Sequence, residues 1–190
     1  MALKFNGTNI ESIKFNGTAL DKLIYNGVTV WESWVLKNGS FMSVGSKVFD
    51  RLANDVTYNG FRYRTQGIRD DGEYAYLNRA FDDNIATSAS CATSGNIGWV
   101  QIDFPKVIKP VEIYIKMDAR GWSSPATLYG MVNDGWVSIG TFSPPGSGQI
   151  EKTFTLTGTQ EMTALKVETT NTGDGISMWE FKVSKWYVKG

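Results

Sequence analysis

The sequence predicts an all-β protein, a jelly-roll β-sandwich preceded by a small N-terminal β-meander. Three observations lead there. Twenty Gly accompany ten Phe, eight Tyr and seven Trp, and few stretches favour a helix. Aromatic-rich segments cut by glycine are the composition of many short strands. Apolar and polar residues then alternate in stretch after stretch, the period of a strand with one buried face. Finally, Asn-Gly pairs recur near the N-terminus every ten residues, and Asn-Gly is the preferred centre of a two-residue hairpin because both residues accept positive φ.

Residues 1–32 carry these repeats as Phe5-Asn6-Gly7, Phe15-Asn16-Gly17 and Tyr25-Asn26-Gly27, each after an apolar-alternating stretch such as Ile13-Lys14-Phe15. They read as a meander of strands ending at Val28-Thr-Val-Trp31-Glu32. A ribbon so small is not stable alone. It is expected to pack on the downstream domain, on copies of itself or on another protein. Residues 33–54 are mixed, a connecting or edge segment. Trp34, Leu36, Phe41, Val44, Val48 and Phe49 are placed to cover one edge of the sandwich, and Phe49–Leu52 to make a helical turn.

From residue 55 to 190 the chain reads as strands with turn punctuation. Phe61-Arg62-Tyr63-Arg64 alternates aromatic and basic, and Val111, Ile113, Ile115 and Met117 share one face. Ala126–Val132 leads through Asn133-Asp134-Gly135 into Trp136–Phe142. Phe154 and Leu156, Leu165 and Val167, and then Ile176–Val183 complete about eight strands, the number of a jelly roll. Trp99, Trp136 and Trp179 fall within strand patterns and read as core.

Charge and composition exclude several functions. Nineteen basic and nineteen acidic residues cancel, and no basic stripe suggests nucleic acid or an anionic membrane. With no His, Ser-His-Asp and Cys-His nucleophilic systems are ruled out, as are imidazole zinc sites. Cys91 has no partner for an internal disulfide and reads as incidental. No stretch is apolar enough to span a bilayer. The first residues lack the apolar run of a secretory signal, so synthesis in the cytoplasm without the common export route is expected.

The most informative stretch is Arg79-Ala-Phe-Asp-Asp-Asn-Ile-Ala-Thr87, followed by Trp99-Val-Gln-Ile-Asp-Phe104. Asp82, Asn84 and Thr87 bring three side-chain oxygens close in sequence before a strand. A hard cation such as calcium takes such a set, and the plainer reading of the spacing alone is a hydrogen-bonded Asx turn.

Residues 79–104 resemble the signature of the discoidin-like, coagulation-factor type C domains and of the family 32 carbohydrate-binding modules, galactose-binding-like jelly rolls. That signature runs Ala-hydrophobic-Asp-Gly-Asn, a Thr, then Trp-hydrophobic-x-hydrophobic-Asp-hydrophobic. Asp83 stands where Gly is usual, and Ala89 where a Trp is often found. The Asn133–Trp136 turn and the terminal Trp179-Glu180-Phe181 strand match in the same order, so the likeness covers about 130 residues.

The resemblance implies a structural calcium ion. Asp82 and Glu180 would supply charge, Asn84 and Thr87 neutral oxygens, and Arg79 and Trp179 main-chain carbonyls. It also implies ligand binding at tip loops, through Arg120 and Trp122, with Tyr63, Arg64, Asn171 and Asp174 completing a shallow pocket. Arginine offers a rigid fork of donors and tryptophan a flat platform for a sugar.

The N-terminal repeats, closing in Tyr25-Asn-Gly-Val-Thr-Val-Trp31-Glu32, resemble segments of tail and other virion proteins from phages of Gram-positive hosts. The expected function is therefore a non-catalytic carbohydrate-binding protein on a phage particle (tail, baseplate or other virion surface) that recognises a host cell-surface glycan. Its repeats would hold other virion proteins or further copies of the chain as a homo-oligomer. The alternative is a structural virion or assembly protein whose sandwich makes only protein contacts. A glycoside hydrolase needs two placed carboxylates, and Asp70-Asp71, Asp83 and Asp103 form no persuasive pair.

Overall fold

A computed structural model describes residues 4–5, 8–9, 13–16, 18–20, 22–26, 28–92, 97–118, 125–143, 149–170 and 175–190. Three short hairpins come first: β1 (Lys4–Phe5) with β2 (Thr8–Asn9), β3 (Ile13–Phe15) with β4 (Thr18–Leu20), and β5 (Lys22–Tyr25) with β6 (Val28–Glu32). Each is a separate two-stranded sheet, where the sequence reading expected one meander. The turn chemistry is as expected, with Asn16 and Asn26 both at φ 48°. Leu23, Ile24 and Tyr25 stay exposed, Tyr25 at 70%.

The sandwich begins earlier than residue 55. Strand β7 (Trp34–Asn38) pairs antiparallel with the C-terminal end of the last strand, Tyr187 opposite Leu36. Met42, Val44 and Phe49, from the segment read as connecting, are buried in the core, whereas Val48 is exposed. Residues 50–53 make a tight turn, closed by the Ala53 N–H donating to the Asp50 carbonyl at 3.1 Å, in place of the helical turn expected at 49–52. A hairpin follows, β8 (Asp55–Tyr58) with β9 (Phe61–Thr65), around another Asn-Gly pair with Asn59 at φ 51°. Two short 3-10 turns, Gly72–Tyr74 and Leu77–Ala80, lead into the signature loop.

The remaining strands are β10 (Ala89–Cys91), β11 (Ile97–Asp118), β12 (Ala126–Val132), β13 (Gly135–Phe142), β14 (Gln149–Thr155), β15 (Met162–Thr170) and β16 (Ile176–Lys189). Strand β11 belongs to both layers. Its first part pairs with β9 and β15, Ile102 lying between Tyr63 and Leu165. Past an irregularity between Asp103 and Ile108, its second part pairs with β14 and β16, Ile115 lying between Lys152 and Phe181. One layer thus runs β8-β9-β11-β15-β12-β13, and the other β10-β16-β11-β14 with β7 along β16.

Alternation does what it predicted. Val100, Ile102, Ile113, Ile115 and Met117 of β11 are fully buried, with Leu165, Val167, Met178, Phe181 and Val183 against them. The three strand tryptophans differ from expectation. Trp99, Trp136 and Trp179 are only half-buried, because a one-residue step in a strand reverses the face and their neighbours Val100 and Met178 take the inward positions. Trp136 and Tyr129 instead share the Lys166 ammonium, at 4.9 and 5.1 Å from their ring centroids. Among the described residues no helix is long and apolar enough to cross a membrane.

Because β11 supplies the core to both layers, truncating it should be felt globally. Ile115→Ala is expected to lower unfolding stability by about 2–5 kcal/mol, read as an earlier midpoint in chemical denaturation. Lys152→Ala, opposite it on the exposed edge, should leave the midpoint nearly unchanged. Equal small effects from both would mean that the layers do not close on this strand.

Candidate functional site

The strand register sends several chain ends to one pole of the sandwich. Ile97 pairs with Thr170, Asp118 with Gln149 and Ser177, Ala126 with Phe142 and Thr169, and Cys91 with Ile176. Four of the six residues expected to bind ligand, Arg120, Trp122, Asn171 and Asp174, lie outside the described residues, between these ends.

The other two do not meet at that pole. Tyr63 is a correction: it is fully buried, packs edge-on against Phe81 and donates its hydroxyl to the Met42 carbonyl at 3.1 Å. Tyr63 shares the inward phase of β9 with Thr65, so it cannot touch an external sugar. Arg64, on the outward phase, binds Asp103 at 2.7 Å on the outer face of the other layer, beside a hollow of about 330 Å³ over Ala164. Gln101 donates to the second oxygen of Asp103 at 2.7 Å, while the Arg64 Nε atom is buried without a hydrogen-bond partner.

At the pole, on the outer face of β10 and β16, lies a pocket of about 110 Å³ lined by Asp71, Tyr74, Ser88, Ser90, Ser177 and Trp179. Its construction is local and then long-range. Ser90 and Ser177 are register partners on adjacent strands. Residues 67–69 lie alongside β10: the Ala92 N–H donates to the Gly67 carbonyl (2.8 Å), and the Arg69 N–H to the Ser90 carbonyl (2.9 Å). That run delivers Asp71, whose carboxylate accepts from the Ser90 hydroxyl at 2.6 Å and sits 3.4 Å from the Arg69 guanidinium. Gly175, at φ 105°, lets β16 start against this edge, since a Cβ there would lie 2.4 Å from the Cys91 carbonyl oxygen. Cys91 itself is inert, its thiol pushed up to about 12 by burial.

Sequence reasoning missed Asp71, Tyr74 and the serines as a group. The available signal was the Ser88-Ala89-Ser90 alternation directly after Thr87, which puts two small hydroxyls on one face.

Below this pocket the signature loop crosses β16. Its Asp82 carboxylate accepts from the Asn84 N–H (3.0 Å) and the Thr87 hydroxyl (2.7 Å), and the Asn84 side chain accepts from the Ala86 N–H (3.1 Å). Asp83 adopts φ 60°, the left-handed backbone that its usual Gly counterpart takes freely, and its carboxylate pairs with Lys182 at 2.8 Å. That pairing holds the Asp83 carboxyl below the ordinary carboxylate range. The loop covers Glu180, which is 1% exposed.

The Asp83 main-chain N–H donates to the Glu180 carboxylate, while the Oε2 atom has no hydrogen-bond partner. Burial pushes the Glu180 carboxyl up to about 8, the Lys182 ammonium opposing and the Asp83 and Asp82 carboxylates adding to the rise. Lys116, cross-strand from Glu180, spends its ammonium on the Ile85 carbonyl and on Glu151, each at 3.3 Å. A buried acceptor without a donor, beside a second carboxylate, fits a cation. Among the described residues no three acidic, thiol or imidazole side chains converge. A cation there would thus complete its shell from Asn84, Thr87 and main-chain oxygens such as those of Arg79 and Trp179.

No protein-family model and no curated protein sequence matches the chain. Solved structures share its fold. Chitosan-binding module 1 of a Paenibacillus chitosanase/glucanase superposes with a TM-score of 0.51 at 15% identity, covering 80% of this chain and 100% of the module. The family 32 carbohydrate-binding module of Clostridium perfringens NanJ, solved with galactose, gives 0.51 at 15% identity over 71% of this chain and 98% of that one. A Ruminococcus gnavus GH29 fucosidase, solved with fucose, gives 0.50 at 14% identity over 67% of this chain, which spans only 25% of the fucosidase. The likeness is one of fold, the jelly roll of family 32 carbohydrate-binding modules.

The buried Glu180 makes a signed prediction. Its folded-state carboxyl titrates near 8, above the ordinary 4.5, so between those values the folded state binds more protons than the unfolded one and stability falls as pH rises. In chelator, the melting temperature should drop between pH 5 and pH 8, by about 10 °C. Glu180→Gln should flatten that slope. A wild-type slope that survives the substitution would assign the effect to another group.

Proposed function

We propose that the chain is a non-catalytic carbohydrate-binding protein that recognises a cell-surface glycan at the pole carrying the Asp71 pocket. The composition of that pocket carries the reading. It combines one carboxylate, three serine hydroxyls and two aromatic side chains in a hollow of which strands β10 and β16 supply half the lining. Hydroxyls of a sugar need acceptors and donors in fixed positions, and the apolar face of its ring needs an aromatic surface. Asp71 is already oriented by Ser90 and Arg69, so it meets a sugar without reorganising. A lone carboxylate held by an arginine is a hydrogen-bond acceptor, whereas glycoside hydrolysis takes a pair. The family 32 folds solved with galactose support the same direction.

The finer reading places this module on a phage particle, attached by its N-terminal hairpins to other virion proteins or to further copies of the chain. Its support is the repeat pattern and the exposed Ile24 and Tyr25, on hairpins too small to be stable alone. The same hairpins favour the second reading, an assembly protein, if the pole binds no sugar.

Full-length protein should be retained by bacterial cells or their purified surface polysaccharides. Asp71→Asn, which removes the charge from the acceptor, should weaken retention about tenfold, and Trp122→Ala should weaken it as well. Retention unchanged by both substitutions would remove the pole from the mechanism. No retention by any cell or glycan, with the protein folded, would leave the assembly reading.

A calcium ion at Glu180 belongs to the same proposal. Glu180 and Asp82 would hold it with the Asn84 and Thr87 oxygens, and the ion would supply the positive charge that a buried carboxylate lacks. Calcium should raise the melting temperature at pH 8, where Glu180 is otherwise hard to ionise, and much less at pH 5. A calcium response retained in Glu180→Gln would sink this assignment.

A further inference from the structure

Leu52 stands where this chain otherwise uses Asn, Asp or Gly. Among the described residues the other non-glycine positions with positive φ are Asn16, Asn26, Asn59, Asp83, Asn133 and Asp134, between 48° and 62°. Short polar side chains reach that region by bonding locally, and a branched apolar side chain has no such compensation. Leu52 is at φ 64°, in the third place of the 50–53 turn, where positive φ calls for Gly or Asn. Burial does not compensate either, since Leu52 is 40% exposed. Strain kept at an exposed apolar residue points to a contact outside the chain.

The turn is tied to the pocket wall. The Leu52 N–H donates to the Ala75 carbonyl at 2.9 Å, and the Arg51 guanidinium bonds the Asp70 carboxylate. Both tethers end on the segment that supplies Asp71 and Tyr74 to the pocket, and Tyr74 is itself 42% exposed. A polar hollow is thus flanked by a turn that presents one apolar residue at a conformational cost. The hollow measures about 110 Å³, against roughly 10–15 Å³ for one water by the same kind of measure. It has room for one sugar ring and none for a bulky substituent, which must lie at its rim. Two side chains are also too small a surface for a protein interface, which buries about 800 Å² on each partner.

We propose that Leu52 and Tyr74 form an apolar shelf beside the Asp71 pocket, and that the pocket's ligand is a methyl-bearing sugar, acetamido or 6-deoxy, whose methyl group rests on that shelf. The inference rests on the glycan-binding reading of the pocket.

The test is NMR titration of the full chain, labelled at leucine methyls and tryptophan indoles. Matched sugars are compared: N-acetylglucosamine with N-formylglucosamine, and L-fucose with L-galactose. The methyl-bearing member of one pair should bind about fourfold tighter, the value of one buried methyl, and should shift the Leu52 methyls together with the Trp179 indole. The pair that responds distinguishes acetamido from 6-deoxy. Leu52→Asn, which suits the left-handed turn, should erase the preference while raising the melting temperature.

Three results would overturn the shelf and leave the pocket standing: Trp179 responding alike to both members of each pair with Leu52 silent, Leu52→Asn lowering the melting temperature, or Leu52 shifting with protein concentration alone. If no sugar moves Trp179, the pocket reading falls and the shelf with it.

Discussion

The structure depends on a single strand being long enough to serve two sheets. Residues Ile97–Asp118 give β11 partners on both sides in each layer. Its inward residues, Val100 and Ile102 before the irregularity and Ile113, Ile115 and Met117 after it, face each other across the core. Since the strand turns over between Asp103 and Ile108, its two ends return to the same pole. The starts of β14 and β16 follow them there through their register with Asp118. The placement of the candidate site is a consequence of that register. A shift of one residue would reverse every face and disperse the pocket along with the core.

The fold was legible where alternation and turn chemistry agree. The β11 face was read correctly as far as Ile113, Ile115 and Met117, and the turns at Asn16 and Asn26 fell where expected, both asparagines at positive φ. Reading failed where it weighed residue type above phase. Tyr63 was grouped with Arg64 as a ligand pair, although neighbours in a strand face opposite ways. The strand tryptophans read as core because they fall within strand patterns, yet Trp99, Trp136 and Trp179 are only half-buried and keep their rings partly wet. Lys166 over Trp136 shows how an outer face accommodates such a ring. The pocket was illegible for a different reason. Asp71, Ser90 and Ser177 are ordinary residues far apart in sequence, and only the β10–β16 pairing and the chain run beside β10 bring them together.

The signature loop shows a local motif carrying two alternatives at once. Its Asp82, Asn84 and Thr87 oxygens bond one another's neighbours as an Asx turn does, which alone accounts for the loop's shape. The same shape puts Asp82 and the Asp83 main chain over Glu180, whose second oxygen is left without a partner. Asp83 does two things here. It keeps the left-handed backbone and adds a carboxylate, and the chain answers that charge with Lys182. The loop is thereby tethered to β16 by an ion pair that a glycine could not make, at the cost of more negative charge near Glu180.

The N-terminal hairpins expose the limit of local sequence as an explanation. Tyr58-Asn59-Gly60-Phe61 inside the sandwich uses the same aromatic-Asn-Gly device as the repeats and reaches the same turn conformation. Around it the hairpin is held by β11 through the Tyr63–Ile102 register, and Gly60 admits Pro105 so closely that a Cβ would lie 2.9 Å from it. At Asn26 the φ is 48° and Tyr25 likewise pairs with Val28, with Ile24 and Tyr25 still exposed. The same turn residues therefore close a strand pair within the sandwich in one place and a separate two-stranded sheet in the other. The difference lies in the surface each hairpin buries.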